Sequence, residues 1–63
     1  MMTDDDVHRS AEVLIDLVLN QRANEAHEIL KAHGQDTAGR ITDRIRRWGY
    51  TNVARELDLV RFP

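Results

Sequence analysis

Apolar residues recur at intervals of three and four in four segments of the chain, and strand signals are absent. Because an α-helix turns about 100° per residue, this spacing gathers the apolar side chains on one face of a helix. The segments run over about 4–19, 24–33, 37–48 and 52–60, and polar or glycine-containing breaks separate them at Asn20, Gly34 and Gly49. The sequence therefore predicts an all-α fold, a small bundle of three to four short helices.

Helix ends and core residues can be assigned within these segments. Asp4, Asp5 and Asp6 lie at the start of the first segment, where acidic side chains interact favourably with the helix dipole. Gly34 is predicted as a left-handed C-cap of the second helix, and Asp36 as the N-cap of the third. The residues predicted to face the core are Val7, Ala11, Leu14, Val18, Ala26, Ile29, Leu30, His33, Ala38, Ile41, Ile45, Trp48, Val53, Ala54, Leu57 and Val60.

The chain is short, with 63 residues and no cysteine, and we expect one helical domain over residues 1–63. A chain of this length buries only about 60% of its unfolded surface, so helix packing or self-association must supply what disulfides do not. The first segment carries extra apolar side chains around its circumference, at Val13, Ile15, Leu17 and Leu19. This width suits a central helix or one shared between two copies, and a homodimer through the first helix stays open.

The sequence also bears on location. The chain has no cysteine, so there is no disulfide pattern to indicate an oxidising compartment. The acidic start at residues 3–6 is unlike the basic start of a signal peptide. The longest apolar-rich stretch, residues 13–19, contains Asp16 and is far shorter than the roughly 20 residues of a spanning helix. We therefore expect a cytoplasmic protein that does not bind membranes.

Charge is distributed unevenly between the two halves of the chain. Residues 1–30 hold two Arg against seven acids, whereas residues 31–63 hold seven Lys and Arg against four acids, within a net charge of −2. The net charge alone disfavours a general nucleic-acid binder, but such asymmetry can mark an interaction surface. Alternatively, the acidic half packs beside the basic half and neutralises it.

Residues that enzymes use for catalysis are few, since the chain has three His, one Ser, one Tyr and no Cys. His27-Glu28 begins like the metalloprotease helix motif, but Lys31 stands where that motif needs its second His. The Asp4 to Asp6 run lacks the glycine and the distal Glu of a calcium loop. We predict a protein that is not an enzyme and holds no metal or cofactor.

Three arginines supply the strongest positive feature. Arg40, Arg44 and Arg47 follow i, i+4, i+7 spacing on the third predicted helix, and we call them the Arg face. Their row lies about 110° from the apolar row, so it borders the core and points partly to solvent. Arginine makes bidentate contacts with carboxylates and phosphates. The Arg face is predicted to bind an acidic partner. Alternatively, Asp43 or acids of the first helix such as Asp16 and Glu12 pair with these arginines, or the Arg face is only a solvated surface.

Trp48 and Tyr50 lie together at the end of the third segment, next to Arg47. Aromatic and Arg residues dominate the hot spots of protein interfaces. In a protein this small, we expect Trp48 to anchor the core and Tyr50 to cover it, with Tyr50 the more exposed of the two. Tyr50 therefore joins the Arg face as a predicted partner-binding residue.

The second and third segments, separated by Gly34, have the order of a DNA-binding helix-turn-helix with the third as recognition helix. The detailed pattern disagrees. Leu30 stands where such motifs favour Ala, and charged Arg40 and Asp43 stand where buried apolar residues are expected. Nucleic acid is therefore the second choice of partner.

The residues thus favour a small protein-interaction module, regulatory or inhibitory, that docks an acidic protein through Arg40, Arg44, Arg47 and Tyr50. One alternative is a dimeric DNA-binding transcriptional regulator, which predicts a basic face free of internal pairing and strongly salt-dependent binding. Another is a structural or assembly subunit that uses the apolar first helix. This last alternative predicts an obligate oligomer that is indifferent to substitution of the arginines.

Overall fold

The computed structural model of the protein describes residues 3–61, with side chains for residues 3–59. Four helices follow one another: α1 (Asp4–Leu19), α2 (Ala23–Ala32), α3 (Gln35–Arg47) and α4 (Thr51–Arg61). The described residues contain no strand, and the predicted all-α bundle is confirmed. None of the described helices is both long enough and apolar enough to cross a membrane.

Helix α1 has a well-defined backbone arrangement at each end. At its start, the Thr3 N–H donates to the Asp6 carboxylate and the Asp6 N–H donates to the Thr3 hydroxyl, each at 3.2 Å, which forms a capping box. At its end, the Arg22 N–H donates to the Leu17 carbonyl at 2.8 Å, and Gln21 adopts a positive φ of 63°. This is the Schellman arrangement, formed here with glutamine in a conformation that favours glycine.

Gly34 separates α2 from α3 and has a φ of 83° with a ψ of 166°. Its φ is positive as predicted, but its backbone is not left-handed helical, and the C-cap of α2 is His33. Gly34 is also the N-cap of α3, whose first residue is Gln35. The prediction of Asp36 as the N-cap of α3 is therefore wrong. Asp36 lies in the first turn instead, where its charge still interacts favourably with the helix dipole.

The core lies between all four helices, and the most extensive interfaces join α3 to α1 and to α4. Polar contacts also cross between helices. Arg46 on α3 pairs with Asp58 on α4 at 2.6 Å, and His27 Nε2 on α2 lies 3.2 Å from the Glu56 carbonyl on α4. The buried apolar residues are Val7, Ala11, Leu14, Ile15, Ala26, Leu30, Ala38, Ile41, Ile45, Val53, Ala54 and Leu57.

Four predicted core residues lie nearer the surface. Trp48 is 36% exposed and Ile29 is 37% exposed, whereas Val18 and His33 are half-buried. Helical spacing placed all four on the apolar side, but Trp48 and His33 follow the last residue of their helices, where fewer neighbouring helices cover them. The side chain of Val60, also predicted to be in the core, lies outside the described residues.

Candidate interaction surface

The Arg face lies on the flank of α3 beside the first turns of α1. Its three arginines line one shallow depression of about 200 Å³, so the structure brings together the residues that the i, i+4, i+7 spacing groups. The depression is mixed in charge, because acids of both helices also line it. Its lining residues are Arg40, Arg44, Arg47, Asp4, Asp43 and Val7.

The members of the Arg face differ in their ion pairs. Arg40 Nη2 lies 3.5 Å from Asp4 Oδ1, and both side chains are more than half exposed, so this pair contributes little to stability. Within residues 3–59, Arg44 and Arg47 form no ion pair. Asp43, one expected partner of the Arg face, instead pairs with Arg46 at 2.9 Å. Arg44 and Arg47 thus keep their guanidinium groups available to another molecule.

Position on α3 explains how these charges are accommodated. Arg44 and Arg47 lie in the last turn of the helix, where cationic side chains interact favourably with the negative end of the helix dipole. Arg44 is half-buried and Arg47 exposed, which is consistent with long side chains that cover apolar surface with their methylene groups. The fold therefore tolerates both charges without an internal counter-ion.

A second depression, which we call the aromatic groove, lies between α1 and the junction of α3 with α4. Its volume is about 440 Å³, and it is wide open to solvent. Apolar side chains form most of its surface, and two acids of α1 contribute to it. The lining residues are His8, Glu12, Ile15, Asp16, Leu19, Trp48 and Tyr50.

Trp48 lies in this groove rather than in the core, which corrects the prediction that it anchors the core. The His8 ring meets the Trp48 ring edge-on, with ring centroids 4.8 Å apart, and His8 Nε2 lies 3.0 Å from Glu12 Oε1. Tyr50, at 41% exposed, is only slightly more open than Trp48, at 36%. Both aromatic side chains are therefore available for contact.

The backbone at the end of α3 fixes the position of Tyr50. Gly49 has a φ of 92°, the Gly49 N–H donates to the Arg46 carbonyl at 3.0 Å, and the Tyr50 N–H donates to the Ile45 carbonyl at 3.2 Å. These two hydrogen bonds define a Schellman motif, which favours glycine at the position of positive φ because glycine has no Cβ. The tyrosine is thus held beside Trp48 by main-chain contacts.

The Arg face and the aromatic groove adjoin each other. Val7 and His8 are consecutive on α1, as are Arg47 and Trp48 at the end of α3. In each pair the first residue lines the arginine depression and the second lines the groove. Tyr50, grouped with the Arg face from the sequence, belongs to the groove side of this continuous surface.

Sequence reasoning missed the contribution of α1 to this surface. His8, Glu12, Ile15 and Leu19 recur at intervals of four and three, so they form a second row beside the apolar row that faces the core. That spacing was present in the sequence. Only the packing of α1 beside Trp48 identifies this row as one wall of a groove.

Within the described part of the chain, no three His, Asp or Glu residues are arranged to hold a metal ion. Comparisons with protein-family models, curated proteins and solved structures gave no match. A functional interpretation therefore rests on the geometry and charge of the surface that α1 and α3 form.

Proposed function

We propose that the protein is a small, non-enzymatic interaction module, regulatory or inhibitory, which docks an acidic protein on the Arg face. The observation that carries this proposal is the availability of Arg44 and Arg47, which form no ion pair within residues 3–59. Tyr50, on the adjoining side of the same surface, supplies an exposed aromatic contact.

The spacing of Arg44 and Arg47 suits a helical or extended acidic segment. Arg44 and Arg47 lie three residues apart and therefore on the same side of α3. Each guanidinium group can donate two hydrogen bonds to one carboxylate in a bidentate contact. An acidic partner would also relieve the repulsion between these neighbouring cations, and this favours association over the free state.

Acids within the surface favour a protein partner over DNA. Asp4 and Asp43 line the same depression as the arginines, and Glu12 and Asp16 line the adjoining groove. A DNA backbone presents a continuous row of phosphates, which would be brought close to these carboxylates. A protein can instead place its acids opposite Arg44 and Arg47 alone.

DNA binding remains the second candidate, and the same free arginines support it together with the order of α2 and α3. It predicts that labelled duplex DNA binds with an affinity that falls steeply as salt is raised. Fluorescence anisotropy at several salt concentrations measures this directly. Absence of binding at low salt would remove DNA from consideration.

The proposal is tested by affinity capture from cell extract with two variants of equal charge change. One variant, Arg40→Gln with Arg44→Gln and Arg47→Gln, neutralises the Arg face. The matched control, Arg9→Gln with Arg22→Gln and Arg55→Gln, neutralises three exposed arginines elsewhere.

We expect the Arg-face variant to lose acidic proteins that the wild type and the control variant both retain. Circular dichroism checks that each variant keeps its helices. Equal capture by all three proteins would contradict the proposal, because the bound proteins would then not depend on the Arg face.

A further inference from the structure

We propose that the aromatic groove is a second docking site, which takes a protein segment that carries a Lys or Arg side chain next to an apolar residue. This site shares Tyr50 with the proposed function but contains no arginine of the Arg face, so the two proposals can be tested separately. Its partner segment also has the opposite charge.

The apolar content of the groove supports docking. Leu19 is 61% exposed, Tyr50 41% and Trp48 36%, and these side chains line the groove together with Ile15, which is itself buried. Burying such side chains releases water from apolar surface, and Trp and Tyr are frequent hot spots of interfaces. An apolar residue of the partner would fill the space beside Leu19 and Ile15.

The charge of the groove selects the class of partner. Glu12 and Asp16 line the groove, whereas no Lys or Arg does. The contacts of these acids are local: Glu12 Oε1 lies 3.0 Å from His8 Nε2, and Asp16 Oδ1 accepts a hydrogen bond from the Asn20 side-chain amide at 3.1 Å. Both carboxylates therefore have oxygen atoms free to receive a cation.

The aromatic rings reinforce this preference. A cationic side chain is attracted to the face of Trp most strongly, and to Tyr as well, when it lies within about 6 Å of the ring centre. In the groove, Trp48 and Tyr50 lie on one wall while Glu12 and Asp16 lie on the opposite helix. A Lys or Arg side chain between the walls would contact both kinds of group, whereas an acidic side chain would be repelled.

The test uses two matched short peptides, one of alternating leucine and arginine and one of alternating leucine and glutamate, both acetylated and amidated. Trp48 is the only tryptophan of the chain, so its fluorescence reports occupancy of the groove. We expect a saturable change of Trp48 emission with the arginine peptide. In the Arg44→Gln, Arg47→Gln variant, which lacks the proposed site for acidic segments, the arginine peptide should still give this change and the glutamate peptide should give none at the same concentration.

Two variants locate the binding. Glu12→Gln with Asp16→Asn should lower the affinity for the arginine peptide by about tenfold, which corresponds to about 1.4 kcal/mol. Arg44→Gln with Arg47→Gln alters the adjoining Arg face, and this variant should bind the arginine peptide with the same or a higher affinity than wild type. Both wild-type acids are exposed, and circular dichroism verifies that the helices persist.

Three results would overturn the inference. The first is that the arginine peptide does not bind saturably, and the second is that it binds wild type and the Glu12→Gln, Asp16→Asn variant with equal affinity. The third is that a second copy of the chain fills the groove. The last would appear as Trp48 emission that depends on protein concentration without peptide, together with a dimer in sedimentation. Capture of acidic proteins through the Arg face would be unaffected by the Glu12→Gln, Asp16→Asn variant, so failure here is distinguishable from failure of the proposed function.

Discussion

The centre of the bundle and the surface formed by α1 and α3 are held in place by different means. In the centre, Leu14, Ile41 and Ile45 are completely buried, and their position follows from apolar packing. On the surface, Leu19 and Tyr50 are exposed and lie beside the ends of α1 and α3, where main-chain hydrogen bonds of Schellman motifs fix the backbone. Burial therefore secures the fold, whereas helix ends position the side chains that contact a partner.

The exposed side chains of this surface lie outside the fully buried core. The largest fully buried side chains come from all four helices, so the core is complete without Trp48 or Tyr50. Substitutions at the two regions should accordingly separate stability from binding. Substitutions that range from the core to the exposed surface should therefore differ widely in their effect on stability.

The largest effect is expected at Leu14, which is fully buried on α1. Leu14→Ala should destabilise the protein by about 2–5 kcal/mol, because it removes apolar contacts and leaves a cavity. A small domain has about 3–5 kcal/mol to lose, so the variant should be largely unfolded at 25 °C. Thermal and urea unfolding followed by circular dichroism measure this, with Val13→Ala, at an exposed position on the same helix, as control. Similar stability of the two variants would break the comparison.

A smaller loss is expected at Gly49, which holds Tyr50 in place through the Schellman motif. Gly49→Ala should cost about 1–2 kcal/mol, since an L-residue is strained at positive φ. The added Cβ would meet no atom within 4 Å, so the cost is one of backbone conformation and not of packing. The midpoint of thermal unfolding should fall by roughly 4–8 °C per kcal/mol. An unchanged midpoint would contradict the prediction that an alanine at this positive φ strains the backbone.

The opposite change is expected at Gln21, which holds a φ of 63° at the end of α1. Gln21→Gly should stabilise the protein by up to about 1 kcal/mol, because glycine adopts positive φ without a Cβ penalty. Gln21→Ala, which keeps the Cβ, serves as the control and should give no such gain. Thermal unfolding compares the three proteins, and destabilisation by glycine would contradict this account of the helix end.

A pH-dependent effect is expected at Asp6. Hydrogen bonds from the Thr3 backbone, and then from the Thr3 side chain, hold the pKa of the Asp6 carboxyl below its ordinary value. Because this pKa is lower in the folded state than in the unfolded state, the ionised carboxylate stabilises the folded protein at pH values above the pKa of the unfolded state. This stabilisation is lost as the pH falls through the pKa of the folded state. Asp6→Asn should therefore be less stable than wild type at pH 7, and the difference should close below about pH 4. A difference that is constant between pH 7 and pH 3 would be inconsistent with this linkage.

The smallest effect on stability is expected at Leu19. Because this side chain is 61% exposed, Leu19→Ser should change the free energy of unfolding by no more than about 0.5 kcal/mol. The same variant should bind the leucine and arginine peptide more weakly, since Leu19 lines the aromatic groove. Chemical unfolding and Trp48 fluorescence measure the two properties in one sample. A large loss of stability would show that Leu19 stabilises the fold as a core residue does, and would contradict the contrast between the core and this surface.

Much of the fold could be predicted from the sequence because helical periodicity is a local property. The predicted bounds of α1 match the structure, and Ile41 and Ile45 are buried as their spacing predicts. The same spacing predicts Trp48 in the core, yet Trp48 follows the end of α3, where burial depends on which other helix lies nearby. Periodicity carries no information about that neighbour.

The candidate surface could be predicted only in part for a related reason. The grouping of the Arg face follows from i, i+4, i+7 spacing on one helix. The ion pair of Arg40 with Asp4 and the groove that His8 forms with Trp48 both join α1 to α3. Contacts between segments far apart in the sequence depend on how the helices pack, which a single sequence does not specify.

The most direct test of the central claim, that Arg44 and Arg47 form the docking site for an acidic partner, is an NMR titration with the leucine and glutamate peptide. The Nε–Hε signals of the individual arginines report contact at each guanidinium group. We predict saturable shifts at Arg44 and Arg47, with much smaller shifts at Arg9 and Arg55, which are exposed elsewhere. Equal shifts at all exposed arginines, or none at Arg44 and Arg47, would contradict the account.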